Sequence, residues 1–222
     1  MKCISNGGLS LDLFDDLLKD SEPEVEDLLA DTPSGAGSSA NLHRALFTLD
    51  QRERLFRQLY QDVDWEQQEI NVYGKTHLQP RLVAWYGDAG ASYTYSGLTL
   101  QPTPWIDPIV EIKMVCEAIA GTTFNSVLLN LYRDGEDTVG WHSDDEPTLG
   151  RDPVIASVSL GAMRRFDLRH KVTKETVKAP MPAGSVLLMS GRLQAEWSHQ
   201  VPRTKKVGSP RINLTFRRIC DA

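Results

Sequence analysis

The spacing of apolar positions changes character at Gly121. Before it, two segments repeat every three to four residues, the period of a helix with one buried face. In the first, Leu55, Phe56, Leu59, Tyr60 and Val63 form an apolar stripe, and Thr48 with Gln51 three residues on has the pattern of a capping box. In the second, Ile109, Ile112, Cys116 and Ile119 line one face, with Asp107 as expected N-cap, Pro108 at the first helical position and Gly121 as C-cap. After Gly121 the period becomes two. Strands are predicted at Ser126–Tyr132, Thr138–Asp144, Val154–Leu160, Arg165–His170, Ser185–Met189 and Arg211–Ile219, separated by Asp-Gly, Pro-Thr-Leu-Gly and Ala-Gly turns. Many short strands behind two helices predict a mainly β, α+β domain, an antiparallel sandwich or jelly roll.

Composition supports a folded chain: 222 residues, 41% hydrophobic, enough for one large domain or two small ones. No apolar run approaches the ~18 residues of a membrane span. Met1 to Asn6 lacks the apolar core of a signal peptide. Cys3, Cys116 and Cys220 are far apart and form no CxxC, so an intracellular, reducing compartment (cytoplasm or nucleus) is expected, without disulfides or a thiolate metal site.

The net charge of −6 would argue against a nucleic-acid partner. It is unevenly placed. Residues 1–40 hold two basic and nine acidic groups, and end in Asp31-Thr32-Pro33-Ser34-Gly35-Ala36-Gly37-Ser38-Ser39, which reads as a flexible linker. Within them Leu11, Phe14, Leu17 and Leu18 fall at helical spacing among aspartates, the pattern of a solvated arm or of an acidic segment that docks on an unknown partner or back on the chain's own basic face. From Arg164 to Arg218, 13 Lys and Arg face three acids. The expected division is an acidic arm over 1–40 and a domain over 41–222, acting as a monomer.

The candidate chemistry begins at His142-Ser143-Asp144. Residues i and i+2 of a strand point the same way, so this imidazole and carboxylate can share one metal. A third ligand from a distant strand would complete a 2-His-1-carboxylate facial triad on Fe(II). By position His170 and His199 are both eligible, whereas His43 and His77 precede the sheet. In Arg211-Ile212-Asn213-Leu214-Thr215-Phe216-Arg217 the apolar residues alternate with Arg211, Asn213, Thr215 and Arg217, a polar face with a guanidinium at each end that suits a dicarboxylate. Asn130 and Tyr132 likewise set two hydrogen-bonding groups into an apolar run.

Taken together, N-x-Y (Asn130, Tyr132), H-x-D (His142, Asp144), a lone His199 and R-x-N-x-T-x-R (Arg211 to Arg217) resemble the AlkB family of Fe(II)- and 2-oxoglutarate-dependent dioxygenases, over roughly Val72 to Arg218. The resemblance implies a double-stranded β-helix (jelly roll, about 122–219) with supporting helices and a nucleotide-recognition lid (about 72–100). It implies His142, Asp144 and His199 as iron ligands, choosing His199 over His170. It implies Asn130, Tyr132, Arg211, Asn213, Thr215 and Arg217 around 2-oxoglutarate. The implied activity is oxidative dealkylation of nucleic-acid bases, with O2 as co-substrate and succinate, CO2 and formaldehyde as products.

The segment Trp85 to Gly97 resembles the family's lid, in which Tyr95 would stack on a flipped base, Tyr93 would lie beside it, and Asp145 or Glu146 would meet the edge of a cationic base such as 1-methyladenine or 3-methylcytosine. Val72-Tyr73-Gly74-Lys75 resembles the hairpin with which duplex-acting members fill the gap left by that base, with Tyr where that subgroup has Phe. Arg169, Lys171, Arg203, Lys205 and Lys206 would then hold phosphates. Asn130-Leu131-Tyr132-Arg133 and Trp141 to Pro147 are nearer the member that prefers single strands and RNA. The expected substrate is duplex DNA, with a single-stranded DNA or RNA demethylase as the alternative. A protein side-chain hydroxylase or a non-catalytic nucleic-acid-binding domain is disfavoured by the aromatic lid and the intact ligand set.

Overall fold

A computed structural model of the chain describes residues 24–72, 75–91, 93–95 and 98–220. Its elements in order are β1 (Val25–Asp27), β2 (Ser38–His43), helix α1 (Leu49–Asp62), the hairpin β3 (Glu69–Val72) and β4 (Lys75–Leu78), β5 (Leu82–Gly87), and the hairpin β6 (Tyr93–Tyr95) and β7 (Leu98–Leu100). There follow helix α2 (Asp107–Ala120), β8 (Ser126–Tyr132), β9 (Val139–His142), β10 (Ile155–Gly161), β11 (Arg164–His170), β12 (Thr176–Met181), β13 (Ser185–Gly191), the single turn α3 (Leu193–Glu196), β14 (Trp197–Val201) and β15 (Arg211–Arg217). Two facing sheets dominate, a large one in the order β1-β2-β13-β10-β15-β8-β5 and a small one in the order β12-β11-β14-β9. All pairings within them are antiparallel. This is the expected jelly roll.

Both helices pack on the outer face of the large sheet. Leu55, Leu59, Ile109, Ile112 and Cys116 meet Val127, Leu129, Val158, Ile212, Leu214 and Phe216 in one buried core. The capping box at the start of α1 is present, Thr48 Oγ1 accepting from the Gln51 N–H while the Gln51 side chain accepts from the Thr48 N–H. Tyr60 of the predicted stripe is 47% exposed, one position too far round the helix to reach the sheet. For α2 the N-cap is Ile106, so Asp107 stands in the first turn, where its charge still favours the helix dipole. Gly121 takes φ +63°, the left-handed ending that glycine permits without strain.

The inner face of the large sheet meets the small sheet through a second core, including Tyr132, Ile155, Phe166, Leu168, Met181, Leu187, Met189, Trp197 and Val201. The functional site occupies the polar end of this layer.

Three expectations need correction. The expected linker over residues 31–39 and the end of the arm before it are tied down: β2 pairs along its whole length with β13, β1 pairs with β2, and Leu28 and Leu29 are buried. Glycine and serine mislead here because backbone pairing and two leucines, rather than side-chain propensity, hold the segment. Residues 1–23, with the acidic helical pattern, lie outside the described residues. The second correction is to β9, which ends at His142, leaving Asp144 beyond the ladder. Third, β12 and β14 join the small sheet although the apolar pattern does not predict them. They are short and interrupted by charged and polar residues, so alternation alone does not mark them. No helix among the described residues is long and apolar enough to cross a membrane.

Candidate active site

The last strand explains the cavity floor. All seven residues of β15 are buried: Ile212, Leu214 and Phe216 face the helices, while Arg211, Asn213, Thr215 and Arg217 face the small sheet. Register extends this polar face sideways. Tyr132 and Asn130 of β8 stand opposite Arg211 and Asn213, and Ser159 and Ser157 of β10 stand opposite Asn213 and Thr215. Polar groups buried in a sheet need partners. Asn213 Nδ2 donates to Ser157 Oγ and to the Val158 carbonyl, each at 2.9 Å, and Thr215 Oγ1 donates to Asn213 Oδ1 at 3.2 Å. Asn213 and Thr215 are thus committed to the sheet itself and shape the floor. Asn130 Oδ1 accepts from Arg81 Nε at 2.7 Å.

Arg211 is different. It is 2% exposed; its Nη2 donates to Ser159 Oγ at 2.8 Å, and its guanidinium carbon lies 5.2 Å from the centre of the Tyr132 ring. Its Nε and Nη1 have no hydrogen-bond partner among the described residues. Burial lowers its pKa to about 10, with Tyr132 pulling upward and Arg164 downward. A buried guanidinium with two unused donor nitrogens fits an anionic ligand such as a carboxylate. The cavity in front of it is lined by Asn130, Tyr132, His142, Asp144, His199, Arg211 and Arg217.

At the other end of the cavity His142, Asp144 and His199 come together, their ligand atoms all within 4.8 Å of one another. His142 and His199 are register partners on β9 and β14, and their rings lie 4.3 Å apart. The Gly140 carbonyl, 2.8 Å from His142 Nδ1, can only accept, so Nδ1 carries the proton and Nε2 presents its lone pair toward Asp144, 3.9 Å away. Phe166 stacks on His199 at 5.2 Å. The donor set, two imidazoles and one carboxylate on one wall, fits Fe(II) with positions left open. His170 is elsewhere: its Nδ1 accepts from the Thr173 N–H at 3.0 Å and its ring meets Trp197.

Charge prepares these ligands. Burial pushes the Asp144 carboxyl upward, but Arg217, bonded to it at 2.8 Å, and the two imidazoles outweigh that and hold it down at about 2. Burial lowers His199 to about 3, so its ring is neutral and available as a ligand. Arg217, expected beside the organic acid, therefore serves first as the counter-charge of Asp144.

The remaining predicted residues divide. Tyr73 lies outside the described residues, as do the side chains of Tyr93 and Tyr95, whose backbone is the short strand β6. Asp145 is exposed and pairs with Lys171 at 3.3 Å, and Glu146 is the N-cap of a 3-10 turn at Pro147–Leu149. Lys171 also donates to the Gln194 carbonyl at 2.8 Å, and Arg169 stacks on Trp141 at 4.1 Å. Both basic groups are engaged within the chain. Arg203 pairs at the surface with Glu136, and Lys205 and Lys206 are exposed.

Five residues escaped sequence reasoning. Arg81 reaches into the cavity to hold Asn130. Arg164, 2% exposed, donates to the carbonyls of Asp134, Asp137 and Pro202, clamping the loop after β8 to the loop after β14. Gln194 bonds the backbone of Asp144. Only Ser157 and Ser159, polar at i and i+2 inside an apolar strand, carried a readable signal, the same one that marked Asn130 and Tyr132.

Comparison with known proteins agrees with this geometry. Residues 40–217 match the 2OG-Fe(II) oxygenase superfamily. The chain is 45% identical over 181 residues to the bovine alpha-ketoglutarate-dependent dioxygenase alkB homolog 3, covering 77% of this chain and 63% of that protein, just under two thirds of its length. It is 42% identical over 198 residues to the human alkB homolog 3 (85% and 68% covered), and 42% identical over 188 residues to the human DNA oxidative demethylase ALKBH2 (80% and 72% covered). Among solved structures, that of OsALKBH1 superimposes with a TM-score of 0.58 at 17% identity, covering 82% of this chain and 96% of that one, a likeness of fold alone. By sequence match, jelly-roll fold and ligand constellation, the chain belongs to the 2OG-Fe(II) oxygenase superfamily and, within it, to the AlkB family.

Proposed function

We propose that this protein is an Fe(II)- and 2-oxoglutarate-dependent dioxygenase that oxidatively demethylates N-alkylated DNA bases, 1-methyladenine and 3-methylcytosine foremost, with duplex DNA as the preferred substrate. The observation that carries the chemistry is one cavity holding a His142, Asp144, His199 constellation at one end and the under-used guanidinium of Arg211 at the other. DNA as substrate is supported by relatives named for DNA demethylation and by the exposed Lys205 and Lys206.

Bound iron, with 2-oxoglutarate and O2, supplies the oxidising power that hydroxylates the N-alkyl carbon. The chain supplies position. His142, Asp144 and His199 would hold the metal, with the Gly140 carbonyl orienting one imidazole and Arg217 keeping the carboxylate ionised. Arg211 would take the far carboxylate of 2-oxoglutarate through its unused donors, Tyr132 and Asn130 lining the same space. Val139, Phe166, Met189 and Val201 give that space apolar walls that exclude water. The hydroxylated substrate then loses formaldehyde by cleavage of its C–N bond, leaving the unmodified base.

Access to a paired base requires flipping it out. Support for duplex preference comes from the β3–β4 hairpin, whose connection is the dipeptide Tyr73-Gly74. Tyr73 would fill the gap in the stack; Tyr93, Tyr95, Asp145 and Glu146 would surround the flipped base; and Arg203, Lys205 and Lys206 would meet phosphates. The test is incubation of the purified protein with Fe(II), 2-oxoglutarate and ascorbate on 1-methyladenine oligonucleotides, single-stranded and duplex, followed by mass and formaldehyde. Mass loss of one methylene per lesion is expected. Absence of any product with iron bound refutes the activity, and Tyr73→Ala reducing both substrates equally refutes the wedge.

A further inference from the structure

We propose that Gln194 is a positioning residue of the metal site, setting where the Asp144 carboxylate stands relative to His199. The proposal rests on His142, Asp144 and His199 being the metal ligands. Its starting point is that β9 ends one ligand too early. The ladder between β9 and β14 aligns His142 with His199 and Val139 with Val201, with an irregularity between the two pairs. Asp144 lies beyond the last paired residue, so the sheet itself does not place it.

Two side-chain bonds replace the ladder there. The Asp144 N–H donates to Gln194 Oε1 at 2.9 Å, and Ser143 Oγ donates to the Trp197 carbonyl at 2.8 Å. Gln194 is 2% exposed and lies in α3, the single turn that runs directly into the strand carrying His199. It therefore joins the segment bearing one ligand to the segment bearing another. The turn is anchored on every side. Leu193 is buried, Ser38 Oγ donates to Glu196 at 3.0 Å, and Lys171 Nζ donates to the Gln194 carbonyl at 2.8 Å. Gln194 Nε2 points at Met189 Sδ, 3.7 Å away, which leaves Oε1 for Asp144.

The chemistry of the residue matters. Arg217 Nη2 holds the Asp144 Oδ1 at 2.8 Å, the same oxygen that lies 3.9 Å from His142 Nε2, and so competes with the imidazole for it. With the acceptor at Gln194 removed, a buried N–H is orphaned, and the backbone of Asp144 can follow its carboxylate toward Arg217 and away from the histidines. A glutamine also accepts without adding a second negative charge beside Asp144, as glutamate would.

The test uses the full chain and Mn(II) as probe, following the electron paramagnetic resonance of the free ion during titration. Gln194→Met, similar in length without the amide acceptor, should weaken Mn(II) binding about 10- to 100-fold, the usual range for a group that orients a ligand. The melting temperature of the metal-free variant should stay within a few degrees of the parent. Gln194→Asn, which keeps the amide but falls one methylene short, should show the same loss, and serves if the methionine variant does not fold. Parental Mn(II) affinity in either folded variant overturns the proposal. So does a loss of affinity that in both variants is matched by loss of the folded state, which marks a purely structural role. His142→Ala separates the two levels: if it binds Mn(II) as well as the parent, the ligand assignment itself fails, whereas its loss of binding beside an unaffected Gln194→Met refutes the positioning role alone.

Discussion

Arg164, Arg211 and Arg217 are each 4% exposed or less, whereas Arg203, Lys205 and Lys206, from the same C-terminal third, stand at the surface. In the sequence these six cations look alike. In the structure the first three are parts of the interior: one clamps three loop carbonyls, one leaves two donors unused in a cavity, and one neutralises a metal-site carboxylate. A buried guanidinium must be matched by acceptors or by a ligand, because leaving it unmatched costs several kcal/mol. A surface lysine has water for a partner and contributes mainly long-range field. The 13 basic residues between Arg164 and Arg218 therefore overstate the charge available to a phosphate backbone, since the buried three are out of its reach, and Arg165, Lys171 and Arg192 are paired with carboxylates of the chain.

The contrast can be broken most severely at Arg217. Arg217→Met strands the Asp144 carboxylate without its main cation, and in the metal-free protein should lower stability by about 3–5 kcal/mol, read by urea denaturation. A change under about 1 kcal/mol would mean that the pair is not isolated from water. Next in size, Arg211→Met should raise the Kd for 2-oxoglutarate about 100-fold, roughly 2.7 kcal/mol, measured by calorimetry on the Mn(II)-loaded protein, with little change in melting temperature. If 2-oxoglutarate affinity holds, the cavity takes its acid elsewhere.

Acid gives a third, graded test. The His199 pKa is lowered from its ordinary 6.5 to about 3. Below pH 6.5 the unfolded chain takes up a proton that the folded chain refuses, so the metal-free protein should lose stability as pH falls from 6.5 toward 3, by at most about 1.4 kcal/mol per pH unit from this group. Asp144, lowered from 3.8 to about 2, adds a further loss below pH 3.8. Above pH 6.5 neither group contributes a slope, and His199→Gln should flatten the upper part of the acid limb. The smallest effect is expected at the surface. Lys205→Gln with Lys206→Gln should leave the melting temperature unchanged and weaken all DNA sequences alike. It should also reduce the slope of log affinity against log salt by about 1 for each phosphate no longer neutralised. An unchanged salt slope would remove both lysines from the interface.

How far the site was legible follows the same division. His142, Asn130, Tyr132 and the polar face of β15 could be read because a strand's side chains alternate, and seven consecutive residues suffice to show it. His199 could not be chosen over His170 by position: both lie on strands of the small sheet, and only the pairing of β14 with β9 brings one of them to His142. Arg81, Arg164 and Gln194 left no pattern at all. Each is a lone polar residue whose bond to the site or its loops spans 27 to 57 residues of chain, and a single residue has no period.

The sequence by itself determined the elements that depend on neighbours: the capping box of α1, the glycine ending of α2, the period-two strands, and through them the jelly roll and its candidate ligand set. Tertiary structure decided which histidine stands beside His142, which arginines are buried, and that β1 and β2 join the large sheet. The physical reason is range. Helix caps and strand alternation are set within a few residues, whereas burial of a charge and the meeting of ligands depend on which strands pair across the chain, an outcome of the whole core.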